Sequence, residues 1–213
     1  MCYNGNVLQN RQKKPREKEY VMSRTNKTKL LLAQSLMELM ETTPLERISV
    51  NDIVDQAGVG RNTFYYHFED KFDLVNWYFQ SGITQFLVEH GHYSNWPELL
   101  WDMESYFREN KVFYTNALAY TGQNCLMDYI FHFASDLFAQ RMALSNPRAS
   151  EREQRFAGDF LAGALMGILI SWVRGGMRGP GLSDTYDCLR TLCTGDIMQI
   201  LGYDLSGEPP ADR

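Results

Sequence analysis

The residues best suited to chemistry in this chain are seven consecutive ones, 61–67, which read RNTFYYH. If they form a helix, Phe64 and the following Phe68 lie on one side, and Asn62 and Tyr66 lie on the opposite side. The outward groups are then an amide, a hydroxyl, two phenols, a guanidinium and an imidazole, with no carboxylate among them. Such groups donate hydrogen bonds to phosphates and read base edges in a major groove. The pattern therefore predicts a helix that contacts DNA.

A capped helix and a glycine turn directly before these residues are expected to position them. Ser49 is a suitable N-cap, and Asp52 three residues later can reach back to it, so that the two form a capping box. The helix predicted at about 50–57 stops at Gly58, a residue type that adopts the left-handed backbone found after helices. Two helices joined by a short turn containing glycine make a helix-turn-helix.

The residues that follow extend this interpretation. Asp70 is placed to cap the next helix, and Lys71 in its first turn is predicted to contact a DNA phosphate. The alternative is an aromatic helix on the surface of an ordinary helical bundle, since helix-turn-helix geometry also occurs without DNA binding.

The segment GVGRNTFYYHFEDK at 58–71 closely resembles the signature of the tetracycline-repressor (TetR) family of bacterial regulators. The similarity in motif extends over about 27–79, and its most specific part is TFYYHF followed by Asp70 and Lys71. Family members often have a basic residue near Glu69, which this chain lacks, so one phosphate contact is removed. The resemblance implies DNA contacts from Ser49, Arg61, Asn62, Thr63, Tyr65, Tyr66, His67 and Lys71.

Charge is divided unevenly along the 213 residues, whose formal net charge is -5. Residues 1–72 hold 11 Lys and Arg against 9 Asp and Glu, whereas residues 73–213 hold 10 against 17. The basic part carries the motif, which favours a DNA-reading domain joined to a sensor domain. We predict a tail at 1–23, a DNA-binding domain at 24–72, an effector and dimerisation domain at 73–205, and a polar tail at 206–213.

The first 23 residues are polar and basic, with few apolar side chains. This composition predicts a disordered tail that has no function of its own. One alternative is a basic arm that follows DNA phosphates or enters a minor groove. Another is that translation begins at Met22, because Lys18-Glu19 can be encoded by a ribosome-binding sequence.

Several other classes of protein are disfavoured. The four cysteines show neither CxxC spacing nor a nearby His, which favours reduced thiols in a cytoplasmic protein. The N-terminus lacks the apolar segment of a signal peptide. The apolar stretch at 160–173 is too short to span a membrane, so a buried helix and no membrane partner are predicted.

The sequence also offers no recognisable reactive site. We find no nucleophile with a neighbouring base, no oxyanion turn and no phosphate loop, so we expect no enzyme activity, no catalytic residue and no cofactor. His90-Gly91-His92 has only two possible metal ligands, and a loop is a better prediction there than a metal site.

The rest of the chain predicts a helical bundle. A helix from Asp70 to about 89 begins at the DNA-binding motif and ends in the second domain, so it can transmit movement between them. Further helices are predicted at about 96–110, 111–119, 124–144, 151–177 and 183–201. An effector pocket among them would use aromatic side chains, although each of these is also a normal core residue. The candidates are Trp101, Tyr106, Phe107, Tyr114, Tyr129, Phe133 and Trp172.

The helix predicted at 151–177 contains interior glycines, each of which costs about 1 kcal/mol relative to alanine. Several such residues suggest that another backbone passes close by. We predict a partner helix across a two-fold axis, with Gly158, Gly163 and Gly167 in the dimer interface. The alternative is tight packing within the monomer. The TetR resemblance also implies dimerisation through the last two long helices.

Two segments look, more loosely, like regulators related to activators of dihydroxyacetone-kinase operons. They are Ala117-Leu118 with 122–124, and WVRGGM at 172–177 before Pro180. Those activators are thought to be regulated by a protein partner, whereas most family members are regulated by a small molecule.

These patterns together predict an all-α fold, with an N-terminal three-helix helix-turn-helix domain and a C-terminal helical bundle for effector binding and dimerisation. The expected function is a sequence-specific transcription regulator, a ligand-responsive repressor that binds a pseudo-palindromic DNA operator as a homodimer. The alternative is an activator controlled by a protein partner.

Overall fold

The computed structural model describes residues 24–90, 96–179 and 181–184, and the regular structure in these ranges is entirely helical. The all-α prediction is therefore confirmed. Both predicted tails, and the last predicted helix from residue 185 onward, lie outside the described residues. The helices are α1 (Arg24–Met40), a 3-10 helix (Leu45–Arg47), α2 (Val50–Ala57), α3 (Arg61–His67), α4 (Lys71–His90), α5 (Trp96–Glu109), α6 (Lys111–Ala117), α7 (Leu126–Ser145) and α8 (Glu151–Arg174).

The first three helices form a small unit around one core. Leu36 of α1, Ile53 of α2 and Phe64 of α3 are almost completely buried in it. The 3-10 helix that precedes α2 was not predicted, because a three-residue turn is too short to produce a hydrophobic period. Its Leu45 side chain is also buried in this core.

Helix α4 connects this unit to the rest of the chain, since it packs against α1 as well as against α5 and α7. A second connection runs through α6, where the Asn116 side chain donates a hydrogen bond to the Met40 carbonyl at 3.0 Å. The Phe72 ring also stacks on the Tyr120 ring with centroids 4.3 Å apart. The start of α4 is thus packed against the segment that follows α6.

Helices α7 and α8 make the most extensive helix pair in the described chain. Helix α8 begins at Glu151, directly after its N-cap Ser150, which forms a capping box with Glu153, and it ends at Arg174, three residues earlier than predicted. The glycines at 175 and 176 end it, and Gly176 takes a left-handed φ of 73°.

Helix α8 is the one helix in the described ranges that is long and apolar enough to cross a membrane by length and composition. Its first three turns nevertheless carry charged residues on several sides, among them Glu151, Arg152 and Glu153. Its apolar residues Ala162, Met166 and Leu169 are buried within the protein. The predicted buried helix is thus buried on one side only, because Phe160, Gly163 and Gly167 on its other side are exposed.

Candidate nucleic-acid interface

The helix-turn-helix is held in shape by local hydrogen bonds. The Ser49 backbone N–H donates to the Asp52 carboxylate at 2.7 Å, and the Asp52 N–H donates to the Ser49 hydroxyl at 3.2 Å. The Ser49 hydroxyl also donates to this carboxylate, and that hydrogen bond, followed by the one from the Ser49 N–H, lowers the pKa of Asp52. At the other end of α2, Gly58 has a φ of 65°, which a residue with a Cβ adopts only with strain. The predicted capping box and glycine turn are therefore both present.

Helix α3 has a buried side and an exposed side, as its sequence indicates. Phe64 and the adjoining Phe68 are 0% and 3% exposed, so both rings belong to the core. Tyr66 on the opposite side is 80% exposed and Tyr65 is 50% exposed. Asn62 is also exposed. The structure thus brings the predicted recognition residues together on one surface.

The edges of this surface carry Arg61 and His67. The Arg61 guanidinium lies 3.4 Å from the Tyr65 hydroxyl, to which it donates a hydrogen bond, and 5.8 Å from the centre of the ring. Burial, and secondarily the Lys29 ammonium, lowers the pKa of His67, so its imidazole is neutral at pH 7. The surface therefore offers hydrogen-bond donors and one fixed positive charge. Thr63, also predicted to contact DNA, is half-buried beside them.

Two acidic residues, Glu69 and Asp70, lie between α3 and α4. One Asp70 carboxylate oxygen accepts hydrogen bonds from the backbone N–H groups of Phe72 and Asp73, each at 2.8 Å. Asp70 therefore caps α4, as predicted. Glu69 is exposed, and its backbone N–H donates to the Asp73 carboxylate at 3.0 Å. The Asp70 carboxylate thus faces the backbone at the start of α4.

Lys71 has a different role from the predicted phosphate contact. Its ammonium donates hydrogen bonds to the carbonyl oxygens of Leu45, Glu46 and Ile48 at 2.8, 2.9 and 2.6 Å. An ammonium has three N–H donors, and all three are used here. Burial lowers the pKa of Lys71, and nearby carboxylates, first among them that of Glu46, partly offset the effect. The structure thus makes Lys71 a clamp between α4 and the 3-10 helix, not a group aimed at DNA.

Replacing Lys71 with alanine is expected to destabilise the DNA-binding domain by about 1–3 kcal/mol, since charged hydrogen bonds to three carbonyls are lost. Thermal unfolding measures this loss. The salt dependence of DNA binding should keep its slope, because a true phosphate contact would lower that slope by about one unit. Lys27→Ala, which alters an exposed lysine of α1, is the control for stability. If Lys71→Ala leaves the melting temperature unchanged and reduces the salt slope, Lys71 contacts a DNA phosphate as the sequence predicted.

Ser49 also serves the fold. Its hydroxyl donates to the Asp52 carboxylate at 2.7 Å while accepting from the Asp52 N–H. The residue is exposed, so a phosphate can approach it, but the hydroxyl hydrogen is already engaged. Its implied DNA contact therefore competes with helix capping.

The second domain contains a cavity of about 100 Å³ between α4, α5, α7 and α8. Phe107 and Phe133, both predicted for an effector pocket, line it. Trp101 does not, because it is 65% exposed on the outer side of α5, and its assignment to the pocket is wrong. Periodicity gives the reason: Trp101 is one residue, or about 100° of helix rotation, from the buried Leu100.

The remaining aromatic candidates lie elsewhere. Tyr106 borders a separate, open groove between α4 and α5 that also contains Glu89 and Glu109. Tyr114 is completely buried, and its hydroxyl, close to that of Tyr106, makes no well-formed hydrogen bond. The other two are Tyr129, whose ring meets that of Phe79 edge to face at 6.0 Å, and Trp172, which lies 4.9 Å from the Arg108 guanidinium.

The three glycines predicted for a dimer interface differ in their surroundings. A Cβ on Gly158 would lie 2.5 Å from the Ser135 carbonyl oxygen of α7, so this glycine permits packing within the monomer and its assignment to the dimer interface is corrected. A Cβ on Gly163 would have only the Phe131 ring at 4.0 Å, and one on Gly167 would meet no described atom within 4 Å. These two face outward.

Sequence reasoning missed a polar network behind the cavity. Glu104 accepts hydrogen bonds from Arg108 and from Ser183, which is 79 residues away in the chain. The four-residue spacing of Glu104 and Arg108 indicates a helical ion pair. Nothing in the sequence signals the third member, because its position depends on the path of the chain after α8. In the described residues no group of His, Cys, Asp and Glu has the geometry of a metal site, and His92 lies outside them.

A compact helix-turn-helix with exposed donors on its second helix defines a DNA-binding protein of the helix-turn-helix class. Comparison with protein families gives two matches. The model for bacterial regulatory proteins of the tetR family matches residues 34–81, and a model for transcriptional regulator C-terminal regions of the same family, TetR_C_8, matches residues 94–180. Together these matches cover more than half of the chain. The chain belongs to the TetR family of transcription regulators, as the motif at 58–71 indicated.

Individual relatives agree with the looser subgroup resemblance. The HTH-type dhaKLM operon transcriptional activator DhaS of Lactococcus lactis subsp. lactis (strain IL1403) is 30% identical over 87 residues, which are 41% of this chain and 46% of the relative. The match thus spans about half the length of that curated relative.

Solved structures show the same fold. The dihydroxyacetone kinase operon activator DhaS has a TM-score of 0.54 at 22% identity, covering 83% of this chain and 98% of its own. A TetR-family transcriptional regulator from Syntrophomonas wolfei str. Goettingen has a TM-score of 0.55 at 17% identity, covering 81% and 97%.

Proposed function

We propose that this protein is a cytoplasmic regulator that binds a pseudo-palindromic operator as a homodimer, with one α3 helix in each of two successive major grooves. The observation that carries the proposal is the outward face of α3, where Asn62, Tyr65 and Tyr66 are exposed while Phe64 anchors the helix. Recognition helices of two-fold dimers lie about 34–36 Å apart on DNA. The operator is therefore expected to have two half-sites separated by one helical turn.

The proposed dimer uses helix α8. Phe156, Phe160, Gly163 and Gly167 follow one another at intervals of four, three and four residues, and all are exposed. That spacing places them on one stripe of the helix, as in helix pairs that pack lengthwise. The rings of Phe156 and Phe160, 70% and 57% exposed, stack on each other at 6.2 Å and form an exposed apolar patch on this stripe, which supports a partner surface here.

The proposed mode of regulation is repression relieved by a small-molecule effector in the second domain. The cavity beside Phe107 and Phe133 supports this mode, because three residues of α4 (Phe79, Ile83 and Leu87) form part of its wall. The same helix begins at the Lys71 clamp on the DNA-binding domain. A ligand that displaces the cavity end of α4 therefore moves a helix whose other end is attached to the DNA-binding domain.

The second candidate function is activation controlled by a protein partner. Two observations favour it: the DhaS relatives named above are described as operon activators, and Trp101 is 65% exposed on the outer side of α5. Exposed tryptophans are common anchors of protein interfaces.

The test of DNA binding is to capture genomic fragments with the purified full-length protein and sequence them. The expected result is one or a few enriched promoter fragments that share an inverted repeat with half-sites about 10–10.5 bp apart. Absence of enrichment would contradict operator binding, and enrichment of a single half-site would contradict the dimer. Deleting the gene then distinguishes repression from activation, because transcripts from the captured promoter rise if the protein represses and fall if it activates.

A further inference from the structure

Helix α6 contacts the C-terminal ends of two other helices. Near its own end, the Asn116 amide donates a hydrogen bond to the carbonyl of Met40, the last residue of α1, at 3.0 Å. At its start, the Lys111 ammonium donates to the Gly176 carbonyl, in the turn directly after α8, at 2.9 Å. Carbonyl groups at the end of a helix have no partner within that helix, so they are open to such donors. Helix α6 with these two hydrogen bonds, called here the α6 bridge, joins the DNA-binding domain to α8.

The middle of the α6 bridge is fixed by packing. Phe113, Tyr114 and Ala117 are at most 1% exposed. The Phe113 ring meets the ring of Tyr78 on α4 edge to face at 4.8 Å, and the Tyr114 ring lies 4.2 Å from that of Phe107 on α5. Close-packed interiors leave little slack for a helix to slide. The two ends of α6 therefore keep a constant separation.

The end of the bridge at α8 is held by a second cation. Arg108, in the last turn of α5, donates to the Met177 carbonyl, and it forms an ion pair with Glu104 at 2.6 Å. Hydrogen bonds from charged donors are stronger than those between neutral groups. The turn after α8 is thus attached both to α5 and to the start of α6.

The end of the bridge at α1 is also well defined. The Asn116 amide nitrogen lies 3.2 Å from the Val112 carbonyl of its own helix, in addition to its contact with Met40, so both amide hydrogens have acceptors. The segment that follows α6 holds α4, because the Asn76 amide donates to the Asn124 carbonyl at 3.3 Å. The DNA-binding domain is therefore attached to this region through α1 as well as through α4.

A second attachment restricts a motion that one connecting helix allows. A domain carried by α4 alone could turn about the axis of that helix or bend at its start. A contact beside the helix, at the end of α1, opposes both movements. The orientation of the DNA-binding domain relative to α8 then depends on the Asn116–Met40 hydrogen bond.

That orientation matters for a dimer that binds two half-sites. In the proposed dimer, α8 packs against its partner and each DNA-binding domain carries one α3. One additional base pair moves a half-site by about 3.4 Å and rotates it by about a tenth of a turn. A domain with a fixed orientation therefore matches one spacing of half-sites and opposes the others.

We propose that the α6 bridge sets the half-site spacing that this regulator accepts, with Asn116 as the positioning residue. The inference rests on the proposed operator-binding homodimer, and it adds the residues that determine which operators fit. Asn116 itself touches no base, because its amide is bonded within the protein.

The first test measures the orientation directly, without DNA. Spin labels are placed at Asp55 of α2 and Gln140 of α7, both exposed, on the full-length chain with its four cysteines replaced by alanine. Labelled chains are diluted with unlabelled ones, so that only distances within one chain are measured. We expect one narrow distance distribution, and Asn116→Ala should broaden it.

Asn110→Ala is the matched control. Its amide donates to the Tyr106 carbonyl of α5 at 2.9 Å, a hydrogen bond of the same kind that stays within the second domain. This variant should keep the narrow distribution. Lys111→Ala, which releases the other end of the bridge, should broaden it, and the double variant with Asn116→Ala should be no broader than the broader single variant.

The second test measures the spacing preference. Duplexes carrying the captured inverted repeat are made with the native spacing and with one or two base pairs added or removed. The ratio of affinities for native and altered spacing should fall by about tenfold in Asn116→Ala, which loses one hydrogen bond per subunit. Affinity for a single half-site should stay the same, because α3 is unaltered.

Each other result overturns the proposal. A narrow distribution in Asn116→Ala, or equal broadening in Asn110→Ala, refutes the bridge. Broadening with an unchanged spacing ratio refutes its role in operator choice. If the unaltered protein binds no duplex, the proposed DNA-binding function has failed and the spacing role fails with it, while the distance measurement still decides whether the bridge holds the domain.

Discussion

Tyr66→Ala is expected to leave the melting temperature unchanged while weakening operator binding by tenfold or more. The ring is 80% exposed on the outer face of α3, so its removal costs little packing. A lost contact to DNA costs about 1–3 kcal/mol, and a dimer loses it in both half-sites. Band-shift titration and thermal unfolding of the same preparation measure the two effects.

Phe64→Ala is the matched control, because it removes a ring from the same helix on the opposite side. Phe64 is fully buried, and loss of such a side chain costs about 3–5 kcal/mol, which is much of the stability of a typical domain. It should therefore unfold the DNA-binding domain and abolish binding for that reason. If Tyr66→Ala instead lowers the melting temperature or leaves binding intact, the outward face of α3 is not the DNA-binding surface.

The local parts of this structure follow closely from the sequence. The capping box of α2, the glycine turn at Gly58 and the inward position of Phe64 all depend on residues within one or two helical turns of each other. Propensity, capping and periodicity act over that distance. For this reason the helix-turn-helix and its exposed face were predicted in detail.

The roles that depend on distant residues were not predictable in the same way. Lys71 was assigned to DNA because of its place in the motif, but its three carbonyl partners lie 23 to 26 residues earlier, in or directly after a 3-10 helix that has no sequence signal. Likewise, the Ser183–Glu104 contact joins residues 79 positions apart. Tertiary packing alone brings such groups together.

The glycines of α8 show the same limit within one helix. Gly158 and Gly167 are the same residue type nine positions apart, and glycine content gave both the same predicted role. The crossing of α7 gives Gly158 a backbone neighbour and leaves Gly167 open. A small residue in a sequence predicts close packing, but the identity of the packed partner comes from the fold.

The dimer interface leads to the second large effect, since Gly163→Leu with Gly167→Leu is expected to convert the protein to a monomer. Both glycines lie on the exposed stripe of α8 with Phe156 and Phe160. A Cβ at either position would meet no described atom of the monomer closer than the Phe131 ring, which is 4.0 Å from a Cβ on residue 163. Leucine also favours helix by almost 1 kcal/mol over glycine, so the monomer itself should not be destabilised. Any loss of association would then be due to the partner helix.

Light scattering and operator binding measure this change together. Separate monomers bind the two half-sites independently and lose the high effective concentration that a dimer provides. The apparent operator affinity should therefore fall by a hundredfold or more. Val88→Glu is the control, because it places a charge on an equally exposed apolar residue of α4, away from the stripe. Phe160→Glu, which puts a charge on the stripe, should act like the glycine variant. If both stripe variants remain dimeric with full affinity, the subunits associate through a different surface.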